Sequence, residues 1–250
     1  MGAEEALRAV RDPLLKRDVV SLGYVHGLAA SGSRVRFTLR LPSPASPHGD
    51  ALAKQCRDAL LALDGVDKVD IETAWEVPRL PALEAPTTPA ALAQVKQIIA
   101  VASGKGGVGK STVAVNLAFA CAQAGARIGI LDIDVYGPSV PAMLGLRDHS
   151  LAGSQQGVIE PVVAHGLKVM SMGFLTTEET PLVWRGPIAS QLVQQFLGSV
   201  AWGELDYLIL DLPPGTGDIQ LTLVQSIPLS GSVIVCTPQD LALLDAKKGL

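Results

Sequence analysis

The chain has 250 residues, more than one average domain of about 150 residues, which predicts two domains. Hydrophobic residues make up 48% and charged residues 18%, a composition that supports a buried core and excludes a disordered chain. The net charge of −4 provides no overall positive field, so we expect neither nucleic acid nor a membrane as a partner.

The start of the chain and the cysteines favour a cytoplasmic protein. The first residues, MGAEEALRAV, are acidic within five residues and lack the basic and apolar segments of a secretory signal, and no run of about 20 apolar residues appears in the chain. The cysteines are three, far apart and never spaced as Cys-x-x-Cys, which favours a reducing compartment.

The first 76 residues alternate between helical and strand patterns. We predict a short helix near residues 4–11, strands over 18–25, 34–41 and 66–72, and a helix from Gly49 to Leu63 that ends at the turn Asp64-Gly65. The sequence RVRFTLRL alternates apolar and polar residues, as in a half-buried strand. These elements predict a small α/β domain over residues 1–76.

Four prolines, at positions 78, 81, 86 and 89, predict a linker over residues 77–93, because proline removes a backbone donor and fixes φ. Residues 94–250 then read as a second domain. Its strands, predicted over 97–103, 126–134, 206–212 and 231–237, are apolar without polar alternation, and a helix is predicted over 111–125. This pattern is typical of a parallel sheet flanked by helices.

The segment GKGGVGKS matches Gly-x4-Gly-Lys-Ser, a loop whose amides bind phosphate at a helix N-terminus. The same glycines also fit the dinucleotide pattern Gly-x-Gly-x-x-Gly, but Lys110 and Ser111 favour a nucleoside triphosphate with a magnesium ion. The candidate nucleotide-binding residues are Gly104, Lys105, Gly106, Gly107, Val108, Gly109, Lys110, Ser111 and Thr112.

Three aspartates follow apolar strands. Asp211 ends the strand DYLILD, at the sheet edge where ligands bind in open α/β sheets, and is a candidate magnesium ligand with Ser111; the alternative is a solvated aspartate. Asp132 and Asp134 end another strand. Asp134 is the stronger candidate to orient a water molecule for attack on the γ-phosphate, because it lies farther beyond the strand.

Five motifs together resemble the Mrp/ApbC family of iron–sulfur cluster carrier ATPases: GKGGVGKST, DIDVYGPS, WRGP, DYLILDLPPGTGDIQLTL and TPQDLALLDAKKG. Residues 4–75 are similar to the small domain that precedes the ATPase in bacterial members. The resemblance implies a P-loop NTPase fold, ATP and magnesium as cofactors, and a homodimer that passes clusters to apoproteins together with assembly factors.

The same resemblance implies roles for single residues. Lys110 is the phosphate lysine, and Lys105 is the signature lysine that reaches the partner subunit's nucleotide in a homodimer. Physics permits the second role, because Lys105 lies at the loop entrance. Trp184 and Arg185 belong to WRGP, and either core packing or a partner contact explains them.

The resemblance is incomplete, because family members carry a Cys-x-x-Cys pair that holds a bridging cluster, and this chain has none. We therefore expect a C-terminally truncated sequence without iron–sulfur ligands. Cys121 and Cys236 are predicted to be buried, Cys56 is structural or exposed, and Ser46 stands where relatives often have cysteine. The four histidines, His26, His48, His149 and His165, lack metal-ligand spacing.

Three functions compete at this point. The first is an ATP-hydrolysing cluster carrier, with the small domain as a docking module. The second is a MinD/ParA-like positioning ATPase, which needs an amphipathic tail or a basic face. The third is a non-catalytic interaction protein in which only residues 4–75 fold. The motifs favour the carrier.

Overall fold

The computed structural model describes residues 2–44, 46–79, 89–134, 137–149, 158–175, 186–215 and 227–239, without the side chains of residues 186–190 and 192. The chain forms two compact units, Met1–Pro78 and Arg79–Leu250. Among the described helices, none combines the length and apolar character that crossing a membrane requires. The linker over residues 77–93 stays a prediction, since residues 80–88 lie outside the described ranges.

Within its described residues, the small unit contains two helices and a three-stranded sheet. Its elements in chain order are α1 (Ala3–Leu7), β1 (Val25–Ser31), β2 (Arg34–Leu41), α2 (Gly49–Leu61) and β3 (Lys68–Trp75). The strand order is β1-β2-β3, with β1 antiparallel and β3 parallel to β2. Every second residue of β2 is buried, and α2 buries residues 49, 52, 56 and 60, a helical spacing that places one apolar face against the sheet.

The predicted strand over residues 18–25 is wrong. Residues 19–23 form a turn, in which the backbone N–H of Ser21 donates to Asp18 Oδ1 at 2.8 Å and Gly23 adopts a positive φ of 70°. An aspartate side chain that accepts a hydrogen bond from a nearby backbone amide favours a turn over a strand. The first strand therefore begins only at Val25, and the first helix ends early, at Leu7.

The larger unit contains six strands and three α-helices within the described residues. They are β4 (Val95–Ala102), α3 (Lys110–Gln123), β5 (Ile128–Asp132), α4 (Val140–Met143), β6 (Val162–Ala164), β7 (Leu167–Ser171), α5 (Gly186–Ser199), β8 (Leu205–Asp211) and β9 (Gly231–Ile234). The strand order is β6-β7-β5-β8-β4-β9, and only β6 runs antiparallel to its neighbour. The predicted α/β class with a mostly parallel sheet is confirmed.

The sheet places the ends of three strands side by side. All five residues of β5 are buried and Tyr207 is the only half-buried residue of β8, as expected for strands covered on both faces. In the register, Asp211 at the end of β8 lies beside Val101 of β4 and beside Asp132 of β5. The loop after β4 and the aspartates of β5 and β8 therefore share one edge of the sheet.

Candidate nucleotide-binding site

The glycine-rich loop connects the end of β4 to the start of α3. Gly107 and Gly109 have positive φ values of 76° and 90°, a backbone conformation that glycine adopts without strain. Lys110 is the first residue of α3, whose first turn contains no acidic residue. The loop thus ends at the N-terminus of a fourteen-residue helix, where the first N–H groups have no partner within the helix, an arrangement that binds anions.

The ammonium group of Lys110 is the centre of the site. Its Nζ lies 2.6 Å from Asp211 Oδ1 and 3.3 Å from Ser111 Oγ, and 4.0 Å from Asp134 Oδ2. The Lys110 side chain is only 7% exposed. Three sequence-predicted residues therefore meet around the fourth, although 101 positions separate Lys110 from Asp211.

Asp211 is fully buried, and its two carboxylate oxygens differ. Burial raises the pKa of Asp211, and the nearby ammonium of Lys110 opposes that shift. While Oδ1 accepts from Lys110, Oδ2 is buried and has no hydrogen-bond partner among the described residues. Magnesium prefers oxygen ligands. A buried carboxylate oxygen that accepts no hydrogen bond, next to a serine hydroxyl, therefore fits a magnesium ion.

Asp132 and Asp134 have different environments. Burial and the charge of Asp211 raise the pKa of Asp132 to about 7, whereas its hydrogen bonds oppose the shift. Asp134 faces the site, with Oδ2 toward Lys110 and Oδ1 accepting the backbone N–H of Gly137 at 3.2 Å. Of the two, only Asp134 lines the cleft beside the glycine-rich loop.

This cleft has a volume of about 310 Å³. It is lined by six predicted residues of the loop and helix start and by Asp134, and also by residues that the sequence analysis did not select: Ser103, Gly137, Ser139, Met143 and Pro214. Gly137, Ser139 and Pro214 lie inside motifs quoted in the sequence analysis, and Ser103 and Met143 lie within a few residues of one, so membership of a motif is the signal that could have found them. The cleft wall extends beyond the glycine-rich loop onto α4.

Lys105 lies apart from this group. Its side chain is exposed, and Nζ donates a hydrogen bond to Gln239 Oε1 at 3.2 Å. Gly104 and Val108 also lie outside the cleft lining. Trp184 and Arg185 fall outside the described residues.

The predicted burial of Cys121 and Cys236 needs correction. Cys236 is exposed, because it follows β9, the edge strand of the described sheet. Cys121 is half-buried, and burial raises its pKa. Cys56 is buried, which raises its pKa to about 11. Within the described residues, no group of three or more His, Cys, Asp or Glu side chains is placed to hold a metal ion.

A profile of the NUBPL iron-transfer P-loop NTPases matches residues 94–250. The chain belongs to this family. A second profile, of iron–sulfur cluster assembly proteins, matches residues 3–72. The P-loop NTPase fold and the resemblance inferred from the motifs are thereby confirmed for this family member.

Curated relatives in two bacteria carry the name iron–sulfur cluster carrier protein. The relative in Synechocystis is 50% identical over 98% of this chain and 69% of its own length; the relative in Deinococcus radiodurans is 48% identical over 98% and 68%. A nucleotide-binding protein from Archaeoglobus fulgidus, solved with ADP, is 44% identical over 64% of this chain and 63% of its own, with a TM-score of 0.54. The chain thus spans about two thirds of the length of these proteins.

Proposed function

We propose that this protein binds and hydrolyses ATP as a homodimer and carries iron–sulfur clusters as cargo to apoproteins. The observation that carries the nucleotide part is the convergence of Lys110, Ser111, Asp134 and Asp211 at the cleft formed by the glycine-rich loop. The carrier part is supported by the family and by the names of the curated relatives.

Phosphate binding follows from the loop and α3. The backbone N–H groups of the glycine-rich loop and the first turn of α3 surround the phosphate oxygens, and Lys110 adds a charge-assisted contact. Ser111 Oγ and the partnerless Oδ2 of Asp211 would hold magnesium, which neutralises phosphate charge when bound. Lys110 then exchanges one of its aspartate contacts for a phosphate oxygen.

Hydrolysis assigns different tasks to Asp134 and Lys105. Asp134 orients a water molecule whose oxygen attacks the γ-phosphorus, the bond to the β,γ-bridging oxygen breaks, and the water proton moves toward the Asp134 carboxylate. Lys105, exposed at the loop entrance, reaches the nucleotide of the partner subunit. In the isolated chain it is held by Gln239.

The small unit serves as an accessory or docking module in this proposal. A cleft of about 750 Å³ in this unit is lined by charged side chains that include Arg36, Asp70 and Glu72. No phosphate-binding loop is among the lining residues. The accessory role is supported by the match of residues 3–72 to the profile of iron–sulfur cluster assembly proteins.

The MinD/ParA-like alternative shares the glycine-rich loop and the parallel sheet. The curated relatives at about half identity over nearly the whole chain are named as cluster carriers, which favours the carrier function. We therefore retain the positioning ATPase only as the alternative hypothesis.

The variant Asp134→Asn tests the ATPase assignment. We expect ATP affinity by calorimetry to stay within about twofold, whereas kcat falls by about 100-fold because the amide cannot accept the water proton. Asp148→Asn, an exposed aspartate in the same unit, is the matched control and keeps normal turnover. Normal turnover of Asp134→Asn would show that Asp134 does not orient the water.

The variant Lys105→Ala tests the contact across the dimer. We expect unchanged ATP binding and a loss of hydrolysis. Mixed dimers of Lys105→Ala with the binding-deficient Lys110→Ala should recover part of the activity, since one site then has both an intact loop and a partner lysine. Dimers that form and recover no activity would contradict the role in the partner site.

Iron binding tests the cargo assignment. Bridging clusters need about four thiolates close together, and the three cysteines here lie on separate elements. Anaerobic reconstitution should give stoichiometric iron and charge-transfer absorption in the Synechocystis relative and none in residues 1–250. Stoichiometric iron in residues 1–250 would show that these cysteines are ligands, and no iron in either protein would contradict the carrier function.

A further inference from the structure

The carboxylate of Asp132 anchors both ends of the segment that carries Asp134. Its Oδ1 accepts the backbone N–H of Asp134 at 3.1 Å, and its Oδ2 accepts the backbone N–H of Val140 at 3.1 Å. Asp132 itself is fully buried at the end of β5. One side chain therefore fixes the entry and exit of the segment that connects β5 to α4.

Ser171, at the end of β7, completes this arrangement. Its Oγ donates to Asp132 Oδ2 at 3.0 Å and accepts the backbone N–H of Gly173, also at 3.0 Å. Ser171 is fully buried and pairs with Asp132 in the register of β5 and β7. A serine that donates to one group and accepts from another has its hydroxyl orientation fixed.

Packing joins the same two elements. A Cβ atom on Gly173 would lie 3.1 Å from Pro138 Cβ and 3.2 Å from Pro141 Cγ, closer than ordinary van der Waals contact. The turn after β7 therefore packs directly against the segment that follows Asp134. The hydrogen bonds of Ser171 and this close contact act on the same part of the chain.

We propose that Asp132 and Ser171 are positioning residues that hold Asp134 over the glycine-rich loop and thereby support hydrolysis without contacting the nucleotide. This inference rests on the proposed ATPase function. Neither residue lines the cleft, whereas Asp134, Gly137 and Ser139 of the segment they anchor do. The loss of Ser171 would leave the phosphate-binding loop intact and let the Asp134 segment shift.

The test compares Ser171→Ala with Ser230→Ala. Ser230 is a matched control, because its Oγ also accepts a backbone N–H, that of Ile98 at 3.1 Å, between β4 and β9. We expect Ser171→Ala to lower kcat about 5–10-fold, the effect of losing the buried hydrogen bond to Asp132, with nucleotide affinity within twofold. Ser230→Ala should leave kcat and affinity unchanged. An unchanged kcat in Ser171→Ala, or equal losses in both variants, would overturn the inference.

A double variant separates positioning from a general loss of structure. If Ser171 acts through Asp134, adding Ser171→Ala to Asp134→Asn causes no further fall in kcat. A multiplicative loss would contradict action through Asp134. Asp132→Asn should behave like Ser171→Ala, since an amide has one oxygen and cannot accept the hydrogen bonds now made to both Oδ1 and Oδ2.

Hydrogen exchange gives a measurement independent of turnover. In Ser171→Ala, the amides of Asp134 and Val140 should exchange faster than in the wild-type protein, and those in Ser230→Ala should not. Unchanged exchange in Ser171→Ala would overturn the positioning role. If Asp134→Asn has normal turnover while Ser171→Ala shows faster exchange, the positioning role of Ser171 stands and the proposed role of Asp134 in hydrolysis is wrong.

Discussion

The two ends of β8 carry buried aspartates whose pKa values shift in opposite directions. Asp206 lies near the start of the strand and Asp211 at its end, and both are at most 1% exposed. Burial opposes ionisation of Asp206, but hydrogen bonds from Arg127 and Lys96 lower its pKa to about 2. Burial raises the pKa of Asp211 despite the ammonium of Lys110.

The difference lies in the number of donors. Asp206 Oδ2 accepts the backbone N–H of Arg127 at 3.0 Å and its Nε–H at 3.2 Å, and Lys96 Nζ lies 3.0 Å from Oδ1. Asp211 has Lys110 on one oxygen and no partner among the described residues on the other. Asp206, whose two oxygens both accept hydrogen bonds, stabilises the sheet. Asp211, which has an oxygen without a hydrogen-bond donor among the described residues, is available to bind a ligand.

The largest expected effect comes from Lys110→Ala at the carboxyl end of the sheet. Removing the ammonium deletes a charge-assisted contact to phosphate of roughly 1.5–3 kcal/mol, so ATP affinity measured by calorimetry should fall about 10–150-fold. Turnover should fall with it. Arg127→Ala, at the opposite end, is the control and should leave ATP affinity unchanged. Equal ATP affinities of Lys110→Ala and the wild-type protein would show that Lys110 does not bind phosphate.

Asp206→Asn measures the stability contributed at the amino end. A pKa lowered from 3.8 to about 2 stabilises the fold by about 1–2 kcal/mol at pH 7, after allowance for solvent around the exposed part of Arg127. This contribution is complete above about pH 4 and is lost as the pH falls toward 2. Urea unfolding from pH 7 to pH 3 should therefore show the wild-type advantage shrinking only below pH 4.

Asp132→Asn is a control, because the stability contributed by Asp132 should change with pH in the opposite direction. The pKa of Asp132 is raised to about 7, so its stabilising contribution is complete below the unfolded-state pKa near 4 and is lost as the pH rises toward 7. The wild-type protein should therefore lose stability relative to Asp132→Asn over that range. Parallel slopes for Asp206→Asn and Asp132→Asn would refute the contrast between the two ends of the sheet.

Ser111→Ala should produce a smaller effect that depends on magnesium. Its hydroxyl is worth about 1 kcal/mol as a ligand, so nucleotide affinity should fall about fivefold with magnesium and less than twofold in EDTA. Thr112→Ala is the control in the same turn and should show no such difference. Equal losses with and without magnesium would mean that Ser111 contacts the nucleotide directly.

The sequence predicted the features that depend on neighbouring residues. The predicted start of α3, residue 111, is one position from its observed start at Lys110, and β8 ends at Asp211 as the sequence predicts. Apolar runs followed by glycines or prolines fix such boundaries locally. The β6–β7 hairpin has a local signal as well: the dipeptide His165-Gly166 forms its two-residue turn, in which both residues have positive φ.

Features that depend on strand order could not be predicted in the same way. The hydrogen bond between Asp132 and Ser171 spans 39 positions and exists because β7 lies beside β5. The exposure of Cys236 likewise follows from the edge position of β9 within the described sheet. Apolar periodicity predicts a strand but not which strands lie beside it. The burial of a residue that follows a strand, such as Cys236, therefore cannot be predicted from that pattern.

The smallest expected effect comes from Lys96→Ala. Lys96 is 27% exposed and holds only Oδ1 of Asp206, whereas Arg127 binds Asp206 through both its backbone and its side chain. A partly exposed ion pair contributes about 0.5 kcal/mol, so the urea midpoint should fall slightly at pH 7.

The control is Arg147→Ala, which removes an exposed arginine without an ion pair among the described residues and should cause no change. Because the effect of Lys96 acts through Asp206, it should vanish in an Asp206→Asn background. If Lys96→Ala lowered the stability as much as Asp206→Asn does, Lys96 would be the main hydrogen-bond donor to Asp206. Each aspartate of β8 would then depend on a single lysine, and the difference in the number of donors would not explain the contrast.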